Sequence, residues 1–397
     1  MKQLIKKAIL NPPFVKWCSQ TIYQSLLGCI KLYEFTSDSK WKFRADDIFE
    51  ILYTIQQEDG GYDIGYDFNF GLLHKKGEST SPEMIGLLAT VEYGRVFGFN
   101  DKVRDSCDKS INWIKKYAIN CGDEGYYIPY APYSTSNVMV YNGTSFVCGA
   151  LGYYLGILNI TNDSELICIY NGMVKYLDIN LLNSDRYLGR FWPYYDQKRT
   201  DIKSPQKDKI DNYHQMQQVE MHSYAERVCP AFRQDKLIRD AANYVVDIFD
   251  QEGIVPYTNN PKDFGGGIHL WGFSSILSGL ILANRVLKDN PKSIDRVIES
   301  VVKFIIDSGW NGKYFYPVVS IQGNKMSDVY MVRSDAWVFN NLASVLDYKT
   351  IKIDKNALVN ILDRCYVMMH SVNFSGKESH ASSLRTRFVG KIIKLFK

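Results

Sequence analysis

The 397 residues are 46% hydrophobic and 23% charged, without a low-complexity run, a composition that excludes a disordered chain. The net charge is +4, but residues 1–16 carry +4 and residues 377–397 carry +5, which leaves −5 on residues 17–376; so acidic a body excludes a nucleic-acid binder, which needs its basic surface on the fold itself. Eight scattered cysteines with no CxxC pair exclude a disulfide framework or zinc knuckle and point to reduced, buried thiols in a cytoplasmic protein.

Read in chain order, MKQLIKKAILNPPF is basic, but its apolar run is too short for a signal peptide and no small-residue cleavage site follows. The apolar pattern then predicts helices in alternating pairs. One set, at 14–35, 81–98, 137–158, 212–228, 268–286 and 332–347, is nearly uncharged and reads as buried on all sides. The other set, at 43–57, 102–119, 164–181, 234–249, 292–309 and 356–371, carries a single apolar stripe opposite a charged face. In QDKLIRDAANYVVDIF, for example, the stripe is residues 237, 238, 241, 244, 245, 248 and 249, which marks an outer helix. Ala131–Asn162 and Ile268–Asn284 lack Asp, Glu, Lys and Arg. Their Asn, Ser, Thr, Gly and His content is nonetheless too polar for a membrane span of about 20 residues. The last stretch, LRTRFVGKIIKLFK, alternates basic and apolar residues at helical spacing. It suits either a solvated terminal helix or one that rests on anionic lipid, so the basic ends are candidates for peripheral contact with the inner membrane face.

Five stretches between the helices look alike: QQEDGGY, CGDEGYYIPY, YLGRFWPYY, FDQEGIVPY and GWNGKYFYP. Their glycines, Gly61, Gly125, Gly189, Gly253 and Gly312, are spaced by 64, 64, 64 and 59 residues. A period near 60 with an inner and an outer helix in each unit predicts an all-α (α/α)6 toroid over residues 1–375, followed by a basic amphipathic tail at 376–397. QQEDGGY followed by STSPEMIGLLATVEYGRVFG, repeated round the chain, resembles the six-hairpin glycosidase-like superfamily. Within it the chain is most similar to helical-toroid proteins encoded in bacterial exopolysaccharide and O-antigen clusters. DNYHQMQQVEM is separately similar to a DYH…QL segment in the helical domain of glucuronyl C5-epimerases, although no counterpart of their β-rich region is present. These resemblances imply a carbohydrate substrate.

In such a ring the inner helices run parallel, so a functional mouth requires them to start polar and end apolar. STSPEMIGLL offers Ser81 as N-cap, Pro82 at the first helical position, and Glu83. VYNGTSF offers Asn142, and DNYHQMQQ offers Asp211 as N-cap, then Tyr213, His214 and Gln217. GGGIHLWGF offers His269 and Trp271, and VRSDAWVF offers Arg333, Asp335 and Trp337. Tyrosines cluster after the glycine turns, at 126, 127, 130, 133, 194 and 195. This set suits a glycan: Tyr130, Trp271 and Trp337 as ring platforms, with Asn142, Gln217 and His269 for directional bonds.

The catalytic candidates are Tyr213 and His214 for proton transfer, Arg333 as a carboxylate clamp, and Glu83 with Asp335 as a glycosidase pair. Each has a structural alternative. Glu83 could cap its own helix, and Arg333 could pair with Asp335 or with Glu83. His222, deeper in the same helix as His214, reads as core. Neither a metal nor a cofactor motif is present, and the Walker, HExxH, GxSxG and Rossmann patterns are all missing. The readings are therefore an epimerase or lyase that abstracts the C5 proton of a uronate-containing, lipid-linked or free glycan, or a glycoside hydrolase. A terpene-cyclase or prenyltransferase relative and a non-catalytic glycan binder are weaker alternatives, the first lacking both a DxDD motif and a zinc set.

Overall fold

A helix that is apolar all round must find partners on every side, and six of them satisfy this by closing a ring. In the computed structural model, residues 18–371 are described except 66–67, 70–72, 75–76, 134–137, 201–207, 229–233, 261–265, 285, 288–290 and 328–329. The two basic ends, and with them the expected tail, lie outside the described residues.

The inner helices are α1 (Ser19–Thr36), α3 (Ile85–Phe97), α5 (Tyr141–Ile157), α7 (Asn212–Val228), the pair α9 (Leu270–Phe273) and α10 (Ser275–Ala283), and α12 (Val332–Ala343). Each packs on the next, and α12 returns to α1. The outer helices are α2 (Ser39–Ile55), α4 (Asp101–Tyr117), α6 (Ser164–Ile179), α8 (Asp235–Glu252), α11 (Pro291–Phe304) and α13 (Lys355–His370), and each lies on the inner helix before it. The ring is the expected (α/α)6 toroid. Two-residue antiparallel strand pairs, such as Ile119–Asn120 with Tyr126–Tyr127, tie several of the turns. Among the described residues no helix is long and apolar enough to cross a membrane. Seven described cysteines are free thiols, and Cys168 is exposed rather than buried.

Two local readings change. Thr80, not Ser81, precedes the second inner element, and Ser81–Met84 forms a 3-10 turn before α3 begins. In the first glycine turn it is Gly60, beside Gly61, that takes the left-handed conformation (φ 92°) seen at Gly125, Gly189, Gly253 and Gly312. The reason is contact as well as turn geometry. A Cβ on Gly60, Gly125 or Gly189 would stand 2.0, 2.1 or 2.4 Å from a backbone carbonyl oxygen of the next outer helix.

Small residues set the spacing of the inner ring. A Cβ on Gly149 of α5 would stand 2.5 Å from the Met221 carbonyl oxygen of α7, and one on Gly279 of α10 would stand 2.7 Å from that of Met216. Because the obstacle is backbone, neither helix can yield by changing a rotamer. Gly149→Val is expected to lower the free energy of unfolding by about 1–3 kcal/mol, read as a drop in the urea midpoint. An unchanged midpoint would show that the α5–α7 contact is looser than described.

Candidate active site

The parallel inner helices gather their N-termini at one end of the ring. A cavity of 240 Å³ opens there, lined by Tyr130, Asn142, His214, Gln217, Trp271, Arg333 and Trp337 among others. All seven carry the polarity or aromaticity read from the inner-helix starts and the glycine-turn loops. The backbone adds a field of its own. No side chain caps α5, α9 or α12, so the positive ends of their dipoles face the mouth and favour an anionic group.

Asp211 does cap its helix, as expected: its Oδ1 accepts the His214 backbone N–H at 3.0 Å. Its other oxygen, Oδ2, lies 2.7 Å from His214 Nδ1 and 3.1 Å from Lys209 Nζ. The histidine contact lies within ion-pair distance and carries charge on both sides only when the ring is protonated. Lys209 sits over the faces of Tyr194 and Tyr257, 4.3 and 5.1 Å from their centroids. Burial by itself would raise the Asp211 pKa, but the neighbouring His214 ring, the Lys209 ammonium and the His214 backbone N–H outweigh it and hold the carboxyl down at about 2. Asp211 is thus an ionised carboxylate behind the imidazole.

The His214 ring stands edge-on between Tyr194 and Trp271, with centroids 5.6 and 5.7 Å away. The Arg333 guanidinium lies 5.8 Å from the Trp271 centroid, and the Trp337 ring meets Trp271 edge-on with centroids 6.2 Å apart. Among the described residues, Asn142 Oδ1, buried in the wall, has no protein hydrogen-bond partner.

Four predicted residues lie behind this surface instead of on it. Tyr213 is fully buried; its ring stacks on Tyr257 at 5.0 Å and its hydroxyl donates to the Val255 carbonyl at 3.4 Å. A helix turns by about 100° per residue, so its neighbour His214 faces the cavity while Tyr213 faces the wall. His269 stands behind Tyr257, with centroids 5.3 Å apart, and burial lowers its pKa. Asp335 points outward to the Phe315 N–H at 3.1 Å, where burial raises its pKa and the Phe315 N–H, Tyr330 and Cys365 work against the rise. Glu83 accepts from Ser19 Oγ at 2.6 Å and Gln20 Nε2 at 2.9 Å, and burial raises its pKa as well. It neither caps its helix nor pairs with Arg333. Through Gln20, whose Oε1 accepts the Trp337 indole N–H at 3.2 Å, it positions the Trp337 platform.

Sequence reading missed Gln20 and Tyr23, which sit on the same polar first turns of α1, and it missed Tyr257 and Lys209. The polar start of α1 carried a signal for the first two. Lys209 and Tyr257 come from irregular segments that meet only in the folded ring.

The fold and the site together define an (α/α)6 toroid of the six-hairpin kind with an axial pocket at the N-terminal mouth. Cellobiose 2-epimerase from Spirochaeta thermophila superposes with a TM-score of 0.63 at 10% identity, covering 90% of this chain and 88% of that one. A family 105 glycoside hydrolase from C. acetobutylicum gives 0.61 at 14% identity, covering 88% of this chain and 98% of that one. A family 76 glycoside hydrolase from a bovine Bacteroides thetaiotaomicron strain gives 0.56 at 11%, covering 84% and 71%. At these identities the likeness establishes the fold. No family model and no curated protein matches the sequence.

The pairing around Asp211 makes a pH-dependent prediction. Its folded pKa is depressed, so its contribution to stability is present in full above pH about 4 and fades as the pH falls through about 2. Asp211→Asn keeps an N-cap and removes the charge. It is expected to lower unfolding stability by about 2 kcal/mol at neutral pH, with the gap to wild type closing in urea titrations toward pH about 3. A gap that is constant with pH would mean that the charge is not what stabilises.

Proposed function

We propose that this chain is a carbohydrate-active enzyme of surface-polysaccharide assembly that abstracts the C5 proton of a uronate residue, as an epimerase or a lyase. The observation that carries the reading is the His214 ring in the cavity with ionised Asp211 behind it and Arg333 on the same rim. Arg333 would pair with the uronate carboxylate, which makes the adjacent C5–H more acidic. His214 would take the proton, and Asp211 would stabilise the imidazolium that forms. Returning a proton to the opposite face inverts C5. Breaking the C4–O bond instead forms the C4=C5 double bond of a lyase product. Trp271 and Trp337 would supply ring platforms, with Tyr130 and Gln217 around them and Asn142 Oδ1 accepting a hydroxyl. The uncapped inner-helix starts favour the anionic sugar for the same reason as Arg333.

The alternative reading, a glycoside hydrolase, draws on the family 105 and family 76 likenesses. It receives less support from the site, because the carboxyls of Glu83 and Asp335 are engaged in the walls. The expected action on a lipid-linked glycan at the inner membrane face depends on the basic ends and stays part of the proposal.

Incubation with defined uronate oligosaccharides in D2O tests the reading. Deuterium at C5, or an unsaturated product, is expected, and new saturated reducing ends would point to hydrolysis. His214→Ala is expected to lower kcat by about 10²–10⁴. Arg333→Ala should lower kcat/KM by at least about tenfold, in line with the loss of a charged hydrogen bond. Unchanged turnover in both variants would sink the mechanism.

A further inference from the structure

The opposite end of the ring, where the inner helices finish, holds a larger cavity of 560 Å³. Lys31 of α1, Glu92 and Arg95 of α3, Tyr224 and Arg227 of α7, and Tyr348 line it. Its volume lies within the range of small-molecule sites, about 300–1,000 Å³.

Three cations and three acids line this cavity, and Glu220 is buried within electrostatic reach of Lys31, but the charges are not evenly paired. Arg95 is fully engaged: Nε and Nη2 donate to the two oxygens of Glu92 at 2.7 and 3.0 Å, and Nη2 also reaches Glu34 at 2.8 Å. Glu92 in turn accepts the Tyr153 hydroxyl. Both acids make their ion-pair contacts with Arg95, and Glu92 also acts at longer range on Arg227 and Lys31. Arg227 donates once, from Nη2 to the Tyr153 hydroxyl at 3.1 Å, and its guanidinium lies 5.7 and 5.6 Å from the Tyr153 and Tyr224 centroids. Lys31 Nζ donates to the neutral acceptors Asn340 Oδ1 and Ser344 Oγ, both at 2.8 Å. Among the described residues neither cation has a carboxylate in salt-bridge contact. The remaining acid on the lining, Asp347, is exposed at the rim.

A helix C-terminus attracts a basic residue in its last turn, and that accounts for Arg95 and for the position of Arg227. It does not account for Lys31, which lies before the last turn of α1. Burial works against the Lys31 charge and lowers its pKa. Two cations that line one cavity, with Glu92 and Glu220 nearby but no carboxylate in salt-bridge contact among the described residues, stand beside tyrosine rings as a receptor for an anion attached to a small polar ring.

We infer that this second mouth binds a monosaccharide-sized ligand bearing a phosphate or a carboxylate, with its anionic group held between Arg227 and Lys31. The site is independent of the proton-transfer reading at the first mouth, because the two cavities have no lining residue in common.

Titration calorimetry on the full chain with glucose 1-phosphate, glucuronate and neutral glucose tests the inference. At least one charged sugar is expected to bind about tenfold or more tightly than glucose, and which of the two does so identifies the anion. Arg227→Gln should weaken that binding by about tenfold or more, while Arg333→Ala should leave the Arg227-dependent binding unchanged, glucuronate at the first mouth being counted as a separate, Arg333-dependent site. If neither charged sugar binds, or if binding survives Arg227→Gln and is lost in Arg333→Ala, the inference is overturned; the latter pattern would place the anion at the first mouth. Should the Arg227 variant fail to fold, phenylglyoxal labelling of wild-type Arg227 gives the answer. The bound sugar must slow the labelling, and an unchanged rate rejects the site.

Discussion

Everything in this molecule depends on backbone contact between parallel inner helices. Gly149 against the Met221 carbonyl and Gly279 against the Met216 carbonyl leave no room for a side chain between neighbours. Once helices pack that closely and in parallel, their first turns must converge at one end and their last turns at the other. The two ends then differ in kind. One presents uncompensated N–H groups and the other uncompensated carbonyls, before any side chain is considered. The side chains follow the same division, with Asn142, His214 and Arg333 at the first end and the Arg95, Glu92 and Arg227 network at the second.

Between the ends the axis is nearly closed. A void of only 10 Å³, barely the space of one water molecule, lies among Gln24, Leu27, Leu88, Glu220 and Met221. It borders the first mouth at Gln217 and Trp337 and the second at Tyr224. Helix α7 therefore runs the length of the axis, contributing His214 and Gln217 above, Met221 at the constriction, and Tyr224 with Arg227 below. The seal lets the two chambers hold different chemistry, since a ligand in one does not reach the other through the ring.

The ring was legible in the sequence because it rests on repetition. Equal glycine spacing and alternation of one-sided with all-round apolar helices survive uncertainty about any single residue. The polarity gradient was legible for the same reason, being shared by several helices. What could not be read was the direction of individual side chains. Tyr213 and His214 are adjacent, yet one stacks on Tyr257 in the wall and the other faces the cavity. Asp335 and Trp337 lie two residues apart in the first two turns of α12, and only Trp337 faces inward, while Asp335 receives the Phe315 N–H from an earlier loop. A rotation of a few tens of degrees decides each case, and packing of the outer helices and loops sets that rotation. Asp211 was read as a cap and is one, but its second oxygen engages Lys209 and His214, which a cap motif does not reveal.

The two histidines of α7 show how position along the axis, rather than residue type, sets chemical capacity. His222 is fully buried. Its Nδ1 contacts Gln234, its Nε2 lies 3.3 Å from Ser145 Oγ, and its ring stacks on Trp192 at 5.8 Å. Burial without a counter-charge pulls its pKa down to about 4, so it stays neutral and joins three elements of the fold. His214, two turns nearer the mouth, has both a carboxylate behind it and a cavity in front. A proton carrier needs both: a partner for the charged form, and access for the atom that gives or takes the proton. A closed ring of parallel helices supplies those conditions together only in the first turns, where the packing opens and capping carboxylates are in reach. The same rule explains why Tyr213 and Asp335, polar and correctly placed along the axis but turned into the wall, take up structural hydrogen bonds instead.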